Sequence, residues 1–169
     1  ATLNAEGAWE RDGQLTLPEL RAEAVGALLD ATGVIWPDDP DLPVEARLSL
    51  SAPDLSRFAA LLGRAVAGDL TLEAEGEAAL RAARFDAELD LDAKSFSAGQ
   101  PEIDALLGGE LTLDASASVG DGPPDIRRLD LDASGLQIKA SGTGPGQPVA
   151  LQARLSDLAQ FLPGFSGAV

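Results

Sequence analysis

Cysteine, histidine, methionine and tyrosine are all missing from this 169-residue chain. Without cysteine there is no disulfide, thiolate nucleophile, iron–sulfur cluster or zinc knuckle. Without histidine there is no Ser-His-Asp triad and no imidazole-held metal. Positive charge is scarce as well, with 12 Lys and Arg against 28 Asp and Glu, a formal net charge of −16. That balance disfavours nucleic acid and anionic headgroups, which need Lys or Arg to neutralise phosphate. Aromatic residues make up only 4 %, too few for a sugar-stacking platform. No apolar run approaches the ~20 residues of a membrane span, and no basic, apolar leader opens the chain. Because it starts at Ala1 inside an alternating segment, the chain reads as a piece of a longer protein.

What the chain does have is 45 % hydrophobic residues, too many for a disordered acidic tail. Leu and Ala dominate, and they recur with period two. Phe85, Ala87, Leu89, Leu91 and Ala93 alternate with Asp86, Glu88, Asp90 and Asp92. Leu111, Leu113, Ala115, Ala117 and Val119 alternate with Glu110, Thr112, Asp114, Ser116 and Ser118. The same holds for Val44–Leu50, Leu70–Ala74, Leu129–Leu131, Leu136–Ala140 and Val149–Leu155, and more loosely for Leu3, Ala5 and Trp9. Such alternation predicts strands with one face in water and one face covered. Turn residues fall between the runs, as at 97–99, 120–124, 134–135 and 142–146. Short connections between consecutive strands favour an antiparallel meander of nine or ten strands.

Three stretches break the alternation with helical spacing: 51–63, 101–108 and 156–164. In the first, Asp54 is the expected N-cap. Leu55, Phe58, Leu61 and Leu62 form one face, and Gly63 ends the helix. Residues 26–31 fit either helix or strand. The Pro-rich, acidic stretch 36–43 reads as a loop or sub-boundary within one β-rich unit spanning 1–169. The helices and the strands that follow them suggest degenerate repeats of roughly 50 residues over 43–169, the mark of elongated, stackable architectures.

An apolar sheet face needs a cover, and three short helices are too few. Closure as a sandwich with a dry Leu/Ala core is one solution. The others are a curled barrel and an open trough wide enough for an acyl chain. The outward carboxylates are not a calcium loop. Alternate residues on a strand lie about 6.5–7 Å apart, whereas Ca²⁺ needs several oxygens at 2.3–2.6 Å. No enzymatic constellation, cofactor motif or metal set is expected, and Arg127-Arg128 is too small for a nucleic-acid patch.

The phrase Ala52-Pro53-Asp54-Leu55-Ser56-Arg57-Phe58-Ala59-Ala60-Leu61-Leu62-Gly63, running on to Asp69-Leu70-Thr71-Leu72-Glu73-Ala74, resembles the repetitive periplasmic region of the TamB family, within the AsmA-like group. The resemblance covers most of 43–169. It implies an all-β, elongated, U-shaped (taco-like), mainly antiparallel sheet with an apolar interior and short helical insertions. It also implies a periplasmic segment of a Gram-negative, inner-membrane-anchored parent that conducts phospholipid to the outer membrane beside a TamA-like barrel. The expected groove lining for the acyl chains is Leu70, Leu72, Phe85, Leu89, Leu91, Leu111, Leu113, Leu129, Leu131, Leu136, Ile138, Leu151 and Leu155. The competing expectation is a structural or adhesive β-sandwich repeat of a bacterial surface protein.

Overall fold

A computed structural model of the chain describes residues 2–10, 13–142, 144 and 146–156. Ten strands form one sheet whose spatial order is the chain order. They are β1 (Thr2–Trp9), β2 (Leu15–Ala24), β3 (Ala27–Ile35), β4 (Pro43–Ala52) and β5 (Ala67–Ala79), followed by β6 (Arg84–Ser97), β7 (Gly109–Val119), β8 (Asp125–Ala133), β9 (Leu136–Ser141) and β10 (Ala150–Leu155). Every neighbouring pair is antiparallel. The expected all-β meander is therefore present. It runs unbroken through 36–42, because β3 and β4 pair from Leu28↔Ser51 to Ile35↔Val44.

The register shifts at five places, and three of these bulges set the details. In one, Gly7 of β1 stands opposite both Leu17 and Pro18, so the extra residue is on β2, and Leu3, Ala5 and Trp9 share a face by unbroken period two. A second, between Leu17 and Leu20, takes up Pro18 and Glu19, as proline in a sheet requires. The third, in β8, leaves Arg127 without an opposite residue on β7.

Connections alternate between the two ends of the sheet. Those after β2, β4, β6 and β8 share one end, the helix end. After β4 a 3-10 turn (Leu55–Phe58) leads into α1 (Ala59–Leu62). Asp54 caps the turn as expected, its Oδ1 accepting from the Ser56 amide at 3.0 Å, and Gly63 ends α1. The helical stretch is shorter than 51–63, because Ser51 and Ala52 still belong to β4. Its expected apolar face is split: Leu55 and Phe58 are half-buried, whereas Leu61 is 80 % and Leu62 54 % exposed.

After β6, α2 (Pro101–Leu107) matches its expected bounds. Unlike α1 it is docked. Leu107 packs on a cluster of Ala93, Leu111 and Ala133, with Leu70, Leu91, Phe96 and Leu131 around it. Asp104 pins α2 to the end of β6, accepting from Ser97 Oγ at 3.0 Å and from the Ala98 amide. The ambiguous stretch 26–31 is strand from Ala27 onward. The third expected helix, 156–164, lies outside the described residues apart from Ser156.

This small cluster is where the core sits. Among the described residues no large side chain is fully buried. The accessible surface is 10945 Å², against about 7,800 Å² for a compact monomer of this mass. The polypeptide has built a wide surface, not a closed interior.

Candidate functional site: the apolar face

Directly opposite residues of an antiparallel pair share a face, so the register traces lines of side chains across the sheet. One line runs Leu3–Ala22–Leu29–Leu50–Leu72–Leu91–Leu113–Leu131–Ile138–Ala153, with a large aliphatic on every strand from β3 to β9. The next runs Ala5–Leu20–Ala31–Leu48–Ala74–Leu89–Ala115–Leu129–Ala140–Leu151. It alternates small and large without a break, alanine on odd strands and leucine on even ones. Beside it lies a line of small residues, Gly33–Ala46–Gly76–Ala87–Ala117. Toward the end opposite the helices comes Trp9–Leu15–Ile35–Val44–Ala78–Phe85–Val119. These lines carry no charged, amide or hydroxyl side chain.

All thirteen expected lining residues fall on this one face. Their surroundings differ. Leu111 is 9 % exposed beneath α2 and is an ordinary core position. Leu72, Leu89, Leu113 and Leu129 are half-buried, while Phe85, Leu151 and Leu155 are exposed. Sequence reasoning missed Leu29, Leu48 and Leu50 as equal members of the same lines; alternation was the available signal for Leu48 and Leu50, whereas Leu28 masks it for Leu29. Leu48-Leu50-Ala52 stands where Leu89-Leu91-Ala93 and Leu129-Leu131-Ala133 stand, and Leu70-Leu72-Ala74 matches Leu111-Leu113-Ala115. Leu48 to Leu89 and Leu70 to Leu111 are each 41 residues apart, shorter than the spacing expected from the helices.

Steric room explains the glycine at the middle of the small line. A Cβ on Gly76 would lie 2.5 Å from the Asp86 carbonyl oxygen and 3.1 Å from the Ala87 Cα. Both are backbone atoms that cannot step aside cheaply.

The opposite face is charged, and several of its cations sit against carboxylates. The bulge at Arg127 places both arginines of the pair over carboxylates. Arg127 reaches past β7 to Asp86, with Nη2–Oδ1 at 2.6 Å, and Arg128 meets Asp114 at 2.8 Å. Arg47 meets Glu75 at 2.7 Å and Lys139 meets Asp130 at 3.0 Å. Two open hollows of 620 and 420 Å³ lie here, walled by Glu75, Glu88 and Arg47. Their carboxylates suit solvent rather than hydrocarbon. A hollow of 440 Å³ at the end opposite the helices includes Val44, Ala78, Phe85 and Val119, with Glu45, Glu77 and Asp86 among its other residues. Among the described residues no group of three or more carboxylates is placed to hold a metal ion.

The hydrogen bonds from Arg127 hold the Asp86 carboxyl below the usual carboxylate range, against an opposing effect of burial. A depressed folded-state pKa adds stability above the unfolded value and loses it as pH falls through the folded value. The pair is more than a third exposed, so its worth at neutral pH is at most about 1 kcal/mol. Asp86→Asn is expected to lower the urea midpoint modestly at pH 7 and by less as the pH is taken down to 2. Equal shifts at both pH values would show that the ion pair is not the cause.

No protein-family model, curated protein or solved structure matches the chain.

Proposed function

We propose that the chain is a segment of a TamB-like, periplasm-spanning bridge whose apolar face shields phospholipid acyl chains between inner and outer membrane. One observation carries this reading. Aliphatic side chains stay in register on one face of all ten strands, and most of them remain accessible to solvent. Soluble monomers rarely leave contiguous apolar surface of that extent uncovered, and such surfaces commonly serve binding. The nine strand gaps at ~4.8 Å give the leucine line a length of about 43 Å. One leaflet of a bilayer offers hydrocarbon only ~15 Å deep. Each methylene that leaves water there contributes about 0.8 kcal/mol. Because the lines repeat from strand to strand, neighbouring positions are near-equivalent in energy and a chain can slide.

The U form belongs to this proposal. The small-residue line supports it, since side chains of that size leave strands free to bend toward the apolar side. A dry adhesive sandwich would need a second layer above Leu72, Leu89 and Leu113. All ten strands belong to one sheet, and none of those three residues is buried. No catalytic role and no cofactor is proposed.

The test is mass spectrometry of lipids extracted from gently purified protein, beside a mock purification and Leu91→Asp/Leu113→Asp. Phospholipid enriched well above the mock and lost in the folded double variant is the expected result. Folded, lipid-free wild-type protein would overturn the reading and favour the sandwich.

A further inference from the structure

We infer, taking the bridge reading as given, that one acyl chain rests in a bounded slot whose floor is the line of small residues Gly33–Ala46–Gly76–Ala87–Ala117. The floor stays low because its glycines cannot be enlarged. A Cβ on Gly33 would lie 2.8 Å from the Glu45 carbonyl oxygen, much as one on Gly76 meets the Asp86 carbonyl oxygen. Larger side chains stand two residues along the strands to either side, as period two requires. Leu48 and Leu89 rise on one side, and Ile35, Val44, Phe85 and Val119 on the other. Both ends are stopped. The register places Leu17 of β2 opposite Gly33 and Ile126 of β8 opposite Ala117. Solvent reaches the floor: Ala46 is exposed and the other four residues are half-buried.

Chemistry selects the occupant. Floor, sides and stops carry no charged, amide or hydroxyl side chain, so a sugar or a nucleotide would leave its polar groups unpaired. Each strand from β3 to β7 is paired along both edges, so a peptide finds no free backbone groups to join. A hydrocarbon chain needs neither. The four gaps from β3 to β7 span ~19 Å. That is enough for one chain, which fills a leaflet ~15 Å deep, and too short for two end to end. Along the leucine line neighbouring positions are alike and a chain slides. Between Leu17 and Ile126 the next position is obstructed at either end, so the slot is a resting place on that path.

The probe is a phosphatidylcholine bearing a photoactivatable diazirine on one acyl chain, offered to the full chain in vesicles of unlabelled phosphatidylcholine. After illumination, residue-level peptide mapping is expected to place most insertions on the floor residues and on Leu48, Phe85 and Leu89. Ala46→Leu/Ala117→Leu makes the face more apolar yet fills the slot. Displacing two methylenes, at about fourfold each, is expected to lower floor labelling about fifteenfold at sub-saturating probe. Ala74→Leu/Ala115→Leu adds the same atoms one line away and is expected to leave floor labelling unchanged. Insertions centred on Leu72, Leu91 and Leu113, equal loss in both variants, or stronger labelling of the filled one would overturn the slot and leave the bridge reading standing. No insertion above a sample kept dark would overturn both. The map of the unaltered protein needs no variant, so it decides the matter even where the filled variant fails to fold.

Discussion

Leu111→Ala is expected to cost about 2–4 kcal/mol, and Leu113→Ala, two residues along the same strand and face, only about 1 kcal/mol. The chemistry of the two changes is identical. Only the cover differs. Leu111 sits beneath α2, packed with Ala93 and Ala133, and its truncation leaves a cavity. Leu113 faces a space that solvent reaches, so water fills what the side chain vacates. Urea unfolding of both variants beside the parent measures the contrast directly. Equal losses would mean that the leucine line is as dry as the cluster under α2, and the open-face reading would fall with it.

Gly135→Ala is expected to lower stability by about 2–3 kcal/mol, the range of an overpacked core site. Gly135 is buried in the turn between β8 and β9, where its amide donates to the Leu106 carbonyl at 3.0 Å. A Cβ there would collide with the Ala105 carbonyl oxygen and lie 2.9 Å from the Leu106 Cα. Relief requires α2 to lift off, which uncovers Leu111. The two substitutions should therefore be non-additive, with Leu111→Ala costing less in the Gly135→Ala background than alone. Limited proteolysis should also cut the variant faster around 100–108. Full additivity, with no change in cleavage there, would show that the turn and the helix are not coupled.

Much of the sheet was legible before any coordinates. Strict alternation in 85–93 and 110–119 marks β6 and β7, and Asp54 and Gly63 bracket the first helical stretch. The missed elements have particular causes. Pro18 and Glu19 sit in a bulge that breaks the period of β2. In β3, Leu28 and Val34 pair with Ser51 and Glu45 on the charged face, so both faces of that strand look apolar. The docking of α2 and the exposure of α1 depend on what the rest of the sheet leaves uncovered, which no local pattern encodes. Leu106-Leu107-Gly108 and Leu61-Leu62-Gly63 read alike but end in different surroundings. The lining residues were placed on one face because period two determines the face. Which of them is covered was not legible, since burial of Leu111 comes from a helix bridging two strands. The bulge that turns Arg127 toward Asp86 leaves no mark in composition.

A strand order identical to the chain order has consequences for how the molecule is made and lost. Each strand's partner is the one just completed, so no segment waits for a distant half of the polypeptide. Loop closure is short at every step, which favours fast, progressive assembly. Interaction energy then accumulates between nearest neighbours, as in linear arrays. Unravelling under load or heat should pass from strand to neighbouring strand, and the helix-braced β6, β7 and β8 should be the last of these ten to yield.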